Sequence, residues 1–334
     1  MQPDLHAVPI RAFWVESEEL HTILGGRLMP NLNTIVAASD FSGASTLAVD
    51  RGLMLARDQK ARYVVIHALG SNVTHALRSI AGTHLDTDEL AQTITQQSED
   101  QLREVIADCP HHNGIAVEIN IEADSATSGI PKRARDLNAD LLIVGAHGTG
   151  FVQRVLVGST ATRLLRKAHC PVLVVKQPAH RAYRRVLVAV DFSAISHSSI
   201  MLAQRIAPDA HFILTNTFEV PFEGRMQMAG VSEELLASYR DQARVKASYQ
   251  LQELAKKCNL SEDQYTAIAS HGQAARDILQ LEHKYRCDLV VMGKHGTNAT
   301  AELLLGSVTR RVLADSASDV LVVTDEQIFP QRIS

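Results

Sequence analysis

Two glycines three residues apart, nine further residues and then a Gly-Ser pair occur twice in this chain. The first set is Gly145, Gly148, Gly158 and Ser159; the second is Gly293, Gly296, Gly306 and Ser307. Each set follows a short apolar run, Leu141–Val144 or Leu289–Met292. Such runs, rich in branched residues and closed by glycine, read as strands buried on both faces of a parallel sheet. Ligands of open α/β sheets bind beyond the carboxyl ends of their strands. Glycine there lets backbone N–H groups approach a ligand closely, and clustered N–H groups make an anion-binding concavity. Ser159 and Ser307 suit the first turn of a following helix, where unpaired donors and the helix dipole favour phosphate. The chemistry is phosphate binding by backbone and hydroxyl, without a nucleophile. A single G-x-x-G is usually only a turn; the same spacing twice, each after a matching strand, is far harder to obtain by chance. The spacing is neither G-x-G-x-x-G nor G-x-x-x-x-G-K-[ST], so the dinucleotide fingerprint and the usual NTPase loop are absent from these segments.

A second motif is also duplicated. The first strand and its exit, Asn33 to Ser42, end in Asp40-Phe41-Ser42; their partner, from Arg185, ends in Asp191-Phe192-Ser193. The aspartates lie 151 residues apart and the leading glycines 148 apart, so the halves keep register within a few residues. That is the signature of a duplicated unit. Each aspartate has two readings: a cap for the next helix, or a carboxylate at the sheet edge that accepts hydrogen bonds from a ligand.

With both motifs in view, the chain resembles the universal stress protein family in its tandem form, over roughly residues 30 to 325. The family's nucleotide-binding members carry G-2x-G-9x-G-[ST]. The resemblance implies ATP, with Mg²⁺, as the ligand of one or both halves. It places Asp40 and Asp191 at the nucleoside end of the pocket, and the backbones of Ala68 and Thr217 at the adenine edge, although any strand end offers free backbone groups. Gly272, 21 residues before Gly293, matches a glycine common in the family; the same count back from Gly145 reaches Asp124. An acid near phosphates either repels them or shares a divalent cation, which puts the first site in doubt. The family's last strand often pairs across a dimer interface. The implied assembly is therefore a pseudo-dimer of the two halves within one chain, with a homodimer of chains as the alternative.

The elements that must hold these residues follow one order twice: β-α-β-α-β-α-β-α-β. The expected architecture is two tandem Rossmann-like α/β domains, residues 31–178 and 183–326, each an open, mostly parallel five-stranded sheet with helices on both faces. An N-terminal arm, 1–30, has no counterpart in the second half; it contains Trp14 and a short helical pattern from Glu16 to Leu24. Polar amphipathic helices are expected near 87–108 and 232–258, the second with Leu235, Leu236, Tyr239, Ala243 and Ala247 at helical spacing. The segments before them, 70–86 and 219–231, differ between halves and read as loops over the pocket mouths.

Composition narrows the function. With 334 residues, 46% apolar and 21% charged, the chain suits two globular domains. A net charge of −4 gives no reason to propose nucleic acid or bilayer as a partner. No apolar run is long enough to span a membrane, no signal peptide is expected, and four scattered cysteines suggest reduced thiols and a cytoplasmic setting. Fifteen histidines, including His147 and His295 inside the glycine motifs, form no H-x-x-x-H or H-E-x-x-H pattern, so no structural metal is expected. Arg154 could meet phosphate in the first loop; its counterpart Glu302 could not do so directly. No pattern positions a catalytic base. The expectation is a nucleotide-binding stress-response protein rather than an enzyme, the alternatives being a nucleotide-independent scaffold of the same fold and a slow ATP hydrolase.

Overall fold

The structure is a computed structural model that describes residues 32–70, 87–147, 157–295 and 305–324. Expectations for the N-terminal arm, for the loop at 71–86, and for Gly148, Gly296, Arg154 and Glu302 fall outside those residues.

In the first half the order is β1 (Thr34–Ser39), α1 (Gly43–Gln59), β2 (Arg62–Ala68), α2 (Thr87–Ala107), β3 (Val117–Glu122), α3 (Ala126–Asp136), β4 (Leu141–Gly145), α4 (Ser159–Lys167) and β5 (Val172–Val175). The second half repeats it with β6 (Arg185–Ala189), α5 (Ala194–Ile206), β7 (His211–Phe218), α6 (Glu223–Met228), α7 (Glu233–Lys257), β8 (Tyr265–His271), α8 (Ala274–Tyr285), β9 (Leu289–Gly293), α9 (Ser307–Asp315) and β10 (Asp319–Val323).

The strands lie in one sheet, ordered β3-β2-β1-β4-β5-β10-β9-β6-β7-β8. Neighbours within each half are parallel. The halves meet through the antiparallel pair β5–β10, with Leu173 opposite Leu321. Each half is thus an open five-stranded parallel sheet covered on both faces, and the two join edge to edge.

Alternation along the strands sorts the core. Ile35, Ala37, Leu141, Ile143, Val186, Val188, Leu321 and Val323 face one side, under α1, α2, α5 and α7, in a cluster that runs through both halves. Val36, Leu142, Val144, Val172, Val320 and Val322 face the other side, with α3 and α4. Leu187, Val290 and Met292 do the same under α8 and α9. Each fully buried aliphatic side chain is worth about 1.5–3 kcal/mol, so these strands are fixed in register by both faces.

Two expectations change. The 219–231 segment is not loop throughout, because it contains α6. That helix buries none of its own residues and so has no apolar periodicity to reveal it. It is pinned instead by Glu223, which accepts hydrogen bonds from Arg240 at 2.6 Å and meets His271 Nε2 at 2.7 Å. On α7 the buried face is Leu236, Ala247, Leu251 and Ala255. Leu235 and Tyr239, which share the helical spacing, lie exposed on another face.

Candidate functional site at the carboxyl edge of each half

Both glycine motifs fold alike. Gly145 and Gly293 close β4 and β9. Gly158 and Gly306 are the N-caps of α4 and α9, with no side-chain cap bond at either. No cap side chain takes up the first N–H groups of either helix, which leaves donors and the positive end of the dipole at the sheet edge among the described residues. The corner is closed by backbone: Gly158 N–H donates to Ala146 O at 2.8 Å, and Gly306 N–H to Lys294 O at 3.1 Å. At Gly145 the glycine is obligatory, because a Cβ would lie 2.6 Å from the Ala44 carbonyl at the start of α1.

The duplicated Asp-Phe-Ser segments form a second wall. Asp40 Oδ1 accepts from Ser42 N and Oγ, and Asp191 Oδ1 from Ser193 N and Oγ. Ser42 Oγ then caps α1 by accepting from Ser45 N–H. Each aspartate supports the helix entry through Oδ1, and its Oδ2 makes no hydrogen bond among the described residues. Between aspartate and serine, Phe41 and Phe192 both sit at φ +63°. A bulky residue in that region stores strain of about 1–3 kcal/mol and marks a turn held by its surroundings. In the sequence only the repetition of Phe marks this turn.

These walls enclose equivalent cavities. The first, about 290 Å³, is lined by Asp40, Ala68, Gly145, Gly158 and Ser159 among others. The second, about 380 Å³, is lined by Asp191, Thr217, Gly293, Gly306 and Ser307. His147 and His295 line them as well. Of the expected site residues that are described, Gly272 alone lines neither; it sits just past β8 at φ +149°. Asp124, its counterpart, is likewise absent from the first cavity's lining.

The cavities differ in the hydroxyls that line them. In the second, Asp191 Oδ2, Ser199 Oγ, Thr215 Oγ1, Thr217 Oγ1 and both ring nitrogens of His295 are buried without a hydrogen-bond partner among the described residues. Ser199 and Thr215 are 0% and 1% exposed. Buried polar groups left without partners are costly, and a cluster of them facing one cavity suits a polar ligand. In the first half, strand register and helix start equate these hydroxyl positions with Ala48, Ile66 and Ala68. The residues missed from sequence are therefore Ser199 and Thr215. Comparing the halves column by column along β2 and β7 would have raised Thr215, and along α1 and α5 Ser199. A further pair is shared: His67 Nδ1 meets Ser39 O at 2.9 Å, and Asn216 Nδ2 donates to Val190 O at 2.9 Å.

Among the described residues the cysteines offer no activated nucleophile. Burial pushes the thiols of Cys109, Cys170, Cys258 and Cys287 up to about 12, so none is a ready thiolate. Among the described residues no three His, Cys, Asp or Glu side chains cluster to hold a metal ion, and no helix is long and apolar enough to cross a membrane.

Comparison with known proteins agrees with this architecture. The model of the universal stress protein family matches residues 31–176 and again 182–324. A universal stress protein of Mycolicibacterium smegmatis is 26% identical over 282 residues, covering 79% of this chain and 90% of the relative. One from Methanocaldococcus jannaschii is 26% identical over 144 residues, covering 43% of this chain and 82% of its own. Among solved structures, a universal stress protein from Archaeoglobus fulgidus superposes with a TM-score of 0.61 at 17% identity, covering 88% of this chain and 98% of that one. A protein of unknown function from Pseudomonas aeruginosa gives 0.58 at 18%, covering 89% and 94%. The chain belongs to the universal stress protein family, whose model it matches twice along its length.

Proposed function

We propose that this chain binds an adenine nucleotide, ATP in the first instance, in the cavity of its second half, and acts as a nucleotide-responsive binding protein. The observation that carries the reading is the set of five lining side chains, from Asp191 to His295, with buried and unpartnered polar atoms. They lie beside the side-chain-free N-terminus of α9. A nucleotide supplies what such a cavity lacks: hydroxyl and amine groups for the aspartate and hydroxyls, and phosphate for the N–H groups. Its volume of about 380 Å³ falls within the range of about 300–1,000 Å³ usual for ligand clefts. The adenine identity comes from the resemblance of the glycine motif. Magnesium would arrive on the phosphates, which supply its oxygen ligands.

In the first half the same backbone corner is joined to a smaller cavity, with Ala68 in its lining where the second has Thr217, and the columns of Ser199 and Thr215 hold Ala48 and Ile66. That observation favours a scaffold role for the first half, with one nucleotide per chain. The reading is of binding, and it assigns no step of hydrolysis to Asp191 or His295.

The test is to denature freshly purified protein, count the released nucleotide per chain, and titrate the stripped protein with ATP. About one site per chain is expected. Thr215→Val and Asp191→Ala should each weaken binding, whereas Ala68→Thr should not. Two equal sites would reject the assignment to one half, and no heat of binding would reject the nucleotide.

A further inference from the structure

The second cavity is lined by the second half, but its glycine corner is tied to the first. Lys294 stands between Gly293 and His295, and both neighbours line that cavity. Its backbone holds the corner, with N–H to Val323 O at 2.8 Å and O accepting from Gly306 at 3.1 Å. Its side chain leaves the half altogether. Lys294 Nζ donates to Arg166 O at 2.8 Å, at the carboxyl end of α4, whose other end carries the first half's Gly158-Ser159 corner. Lys294 is 6% exposed. The last carbonyls of a helix have no partner within it and sit at the negative end of the dipole, so a buried ammonium there is doubly favoured. Leu305, which leads into Gly306, packs in the same way, 5% exposed within the core cluster of α3 and α4.

The contact is not a by-product of the duplication, because the counterpart of Lys294 in the first half is Ala146. The reverse contact comes from a different position. Lys176, just past β5, donates to Leu313 O at 2.7 Å and Ser316 O at 2.6 Å at the carboxyl end of α9. Each Gly-Ser helix is therefore capped by a lysine of the opposite half, but only Lys294 lies inside a glycine motif.

We propose that Lys294 is a positioning residue that hangs the second cavity's glycine corner on helix α4 of the first half, so that ligand occupancy of the second cavity is felt in the first. The ligand part of this rests on the nucleotide reading above; the mechanical link does not. A ligand on Gly306 and Ser307 fixes the corner, the corner fixes Lys294, and Lys294 fixes the end of α4. Two sites coupled in this way bias one shared element, which is the physical content of an allosteric link.

Hydrogen exchange on the full chain tests both parts. The variants are Lys294→Met, which keeps the buried stem and loses the donor, and Lys294→Arg, which keeps a donor. Without ligand, Lys294→Met should speed exchange at least about threefold in both 159–167 and 305–311 and leave α1 unchanged. Lys294→Arg should recover part of the protection. In wild type, saturating ATP should slow exchange in 159–167, and in Lys294→Met that response should vanish while calorimetry still detects ATP binding. Unchanged exchange of 305–311 in Lys294→Met overturns the link, as does a wild-type α4 indifferent to bound ATP. Absence of ATP binding by wild type removes the nucleotide reading, and the ligand-free comparison then decides the link.

Discussion

The Asp277 carboxylate lies 3.2 Å from the point where a Cβ on Gly272 would stand. The first half holds the same pair with its residue types exchanged: Asp124 Cβ is 3.2 Å from the Cβ point of Gly129. Both pairs are separated by 148 residues from their counterparts, the offset that relates β4 to β9. Each half therefore keeps one carboxylate and one bare backbone where the third strand meets its helix, and neither acid lines a cavity. Asp124 lies outside the first cavity's lining, and the hydroxyls of Ser199, Thr215 and Thr217 have no counterparts in that half.

The exchange predicts a compensation. Gly272→Asp should destabilise the chain by about 1–3 kcal/mol, because its φ of +149° strains any side chain and a second acid meets Asp277. Adding Asp277→Gly should return part of the loss. A double-mutant cycle in chemical denaturation measures it; strictly additive changes would reject the exchange.

The glycines of the motifs are not equally constrained, which separates folding from binding. Gly145→Ala drives a Cβ onto backbone at 2.6 Å and should lower stability by about 2 kcal/mol or more. Gly306→Ala meets Lys294 O at 3.4 Å, an ordinary contact, and should fold as wild type. Gly306→Val should also fold but lose ATP binding, because its side chain enters the corner that phosphate needs. Circular dichroism and calorimetry on the three variants distinguish the two roles, and an undiminished affinity for Gly306→Val would reject the corner as a phosphate site.

Much of this was legible in the sequence, for identifiable reasons. Strands such as Leu141–Gly145 are buried on both faces and so appear as unbroken apolar runs. The glycine corners need particular residue types, so their spacing survived duplication. What was hidden depends on partners far along the chain. Helix α6 is held by His271 and Arg240 rather than by its own apolar face. Leu235 and Leu236 are adjacent and equally apolar, yet 46% and 1% exposed, because two neighbours on a helix point 100° apart and only tertiary packing chooses between them. The polarity of the second cavity depends on Ser199 and Thr215, which lie in no motif.

The junction of the halves contains a buried ion pair. Arg51 Nε is 3.6 Å from Asp319 Oδ2, with the side chains 4% and 0% exposed. Tyr183 donates to the same oxygen at 2.6 Å, and the Arg51 guanidinium lies 4.3 Å from the centre of the Tyr183 ring. Arg51 also donates to Arg181 O, so helix α1, the inter-half segment and β10 share one cluster. Removing one member of a buried pair costs about 3–5 kcal/mol, since the other charge is stranded. Arg51→Met should lose about that much in denaturant titration, and Tyr183→Phe about 1–2 kcal/mol. A loss below about 1 kcal/mol for Arg51→Met would mean that the carboxylate is satisfied by the Tyr183 hydroxyl and the Lys176 and Gln177 N–H groups without the guanidinium.

Lys176 gives that junction a pH signature. Burial lowers its ammonium from the usual 10.5 to about 8, against the opposing pull of Glu282 and Asp319. Between those values the unfolded chain holds a proton that the folded chain has released. Stability rises with pH wherever the unfolded state binds more protons, so this lysine's contribution must rise from about pH 8 to about pH 10.5. Below about 8 the lysine is charged in both states and the contribution is flat. Other groups titrate in the same window, notably Tyr63 and Tyr183, whose hydroxyls burial holds well above their ordinary value. The useful quantity is therefore the difference between wild type and Lys176→Met. Denaturant midpoints taken at several pH values should show that difference moving in favour of wild type as pH rises through the window, by no more than about 3 kcal/mol in all. A difference independent of pH would mean that the ammonium at the end of α9 titrates as it does in water.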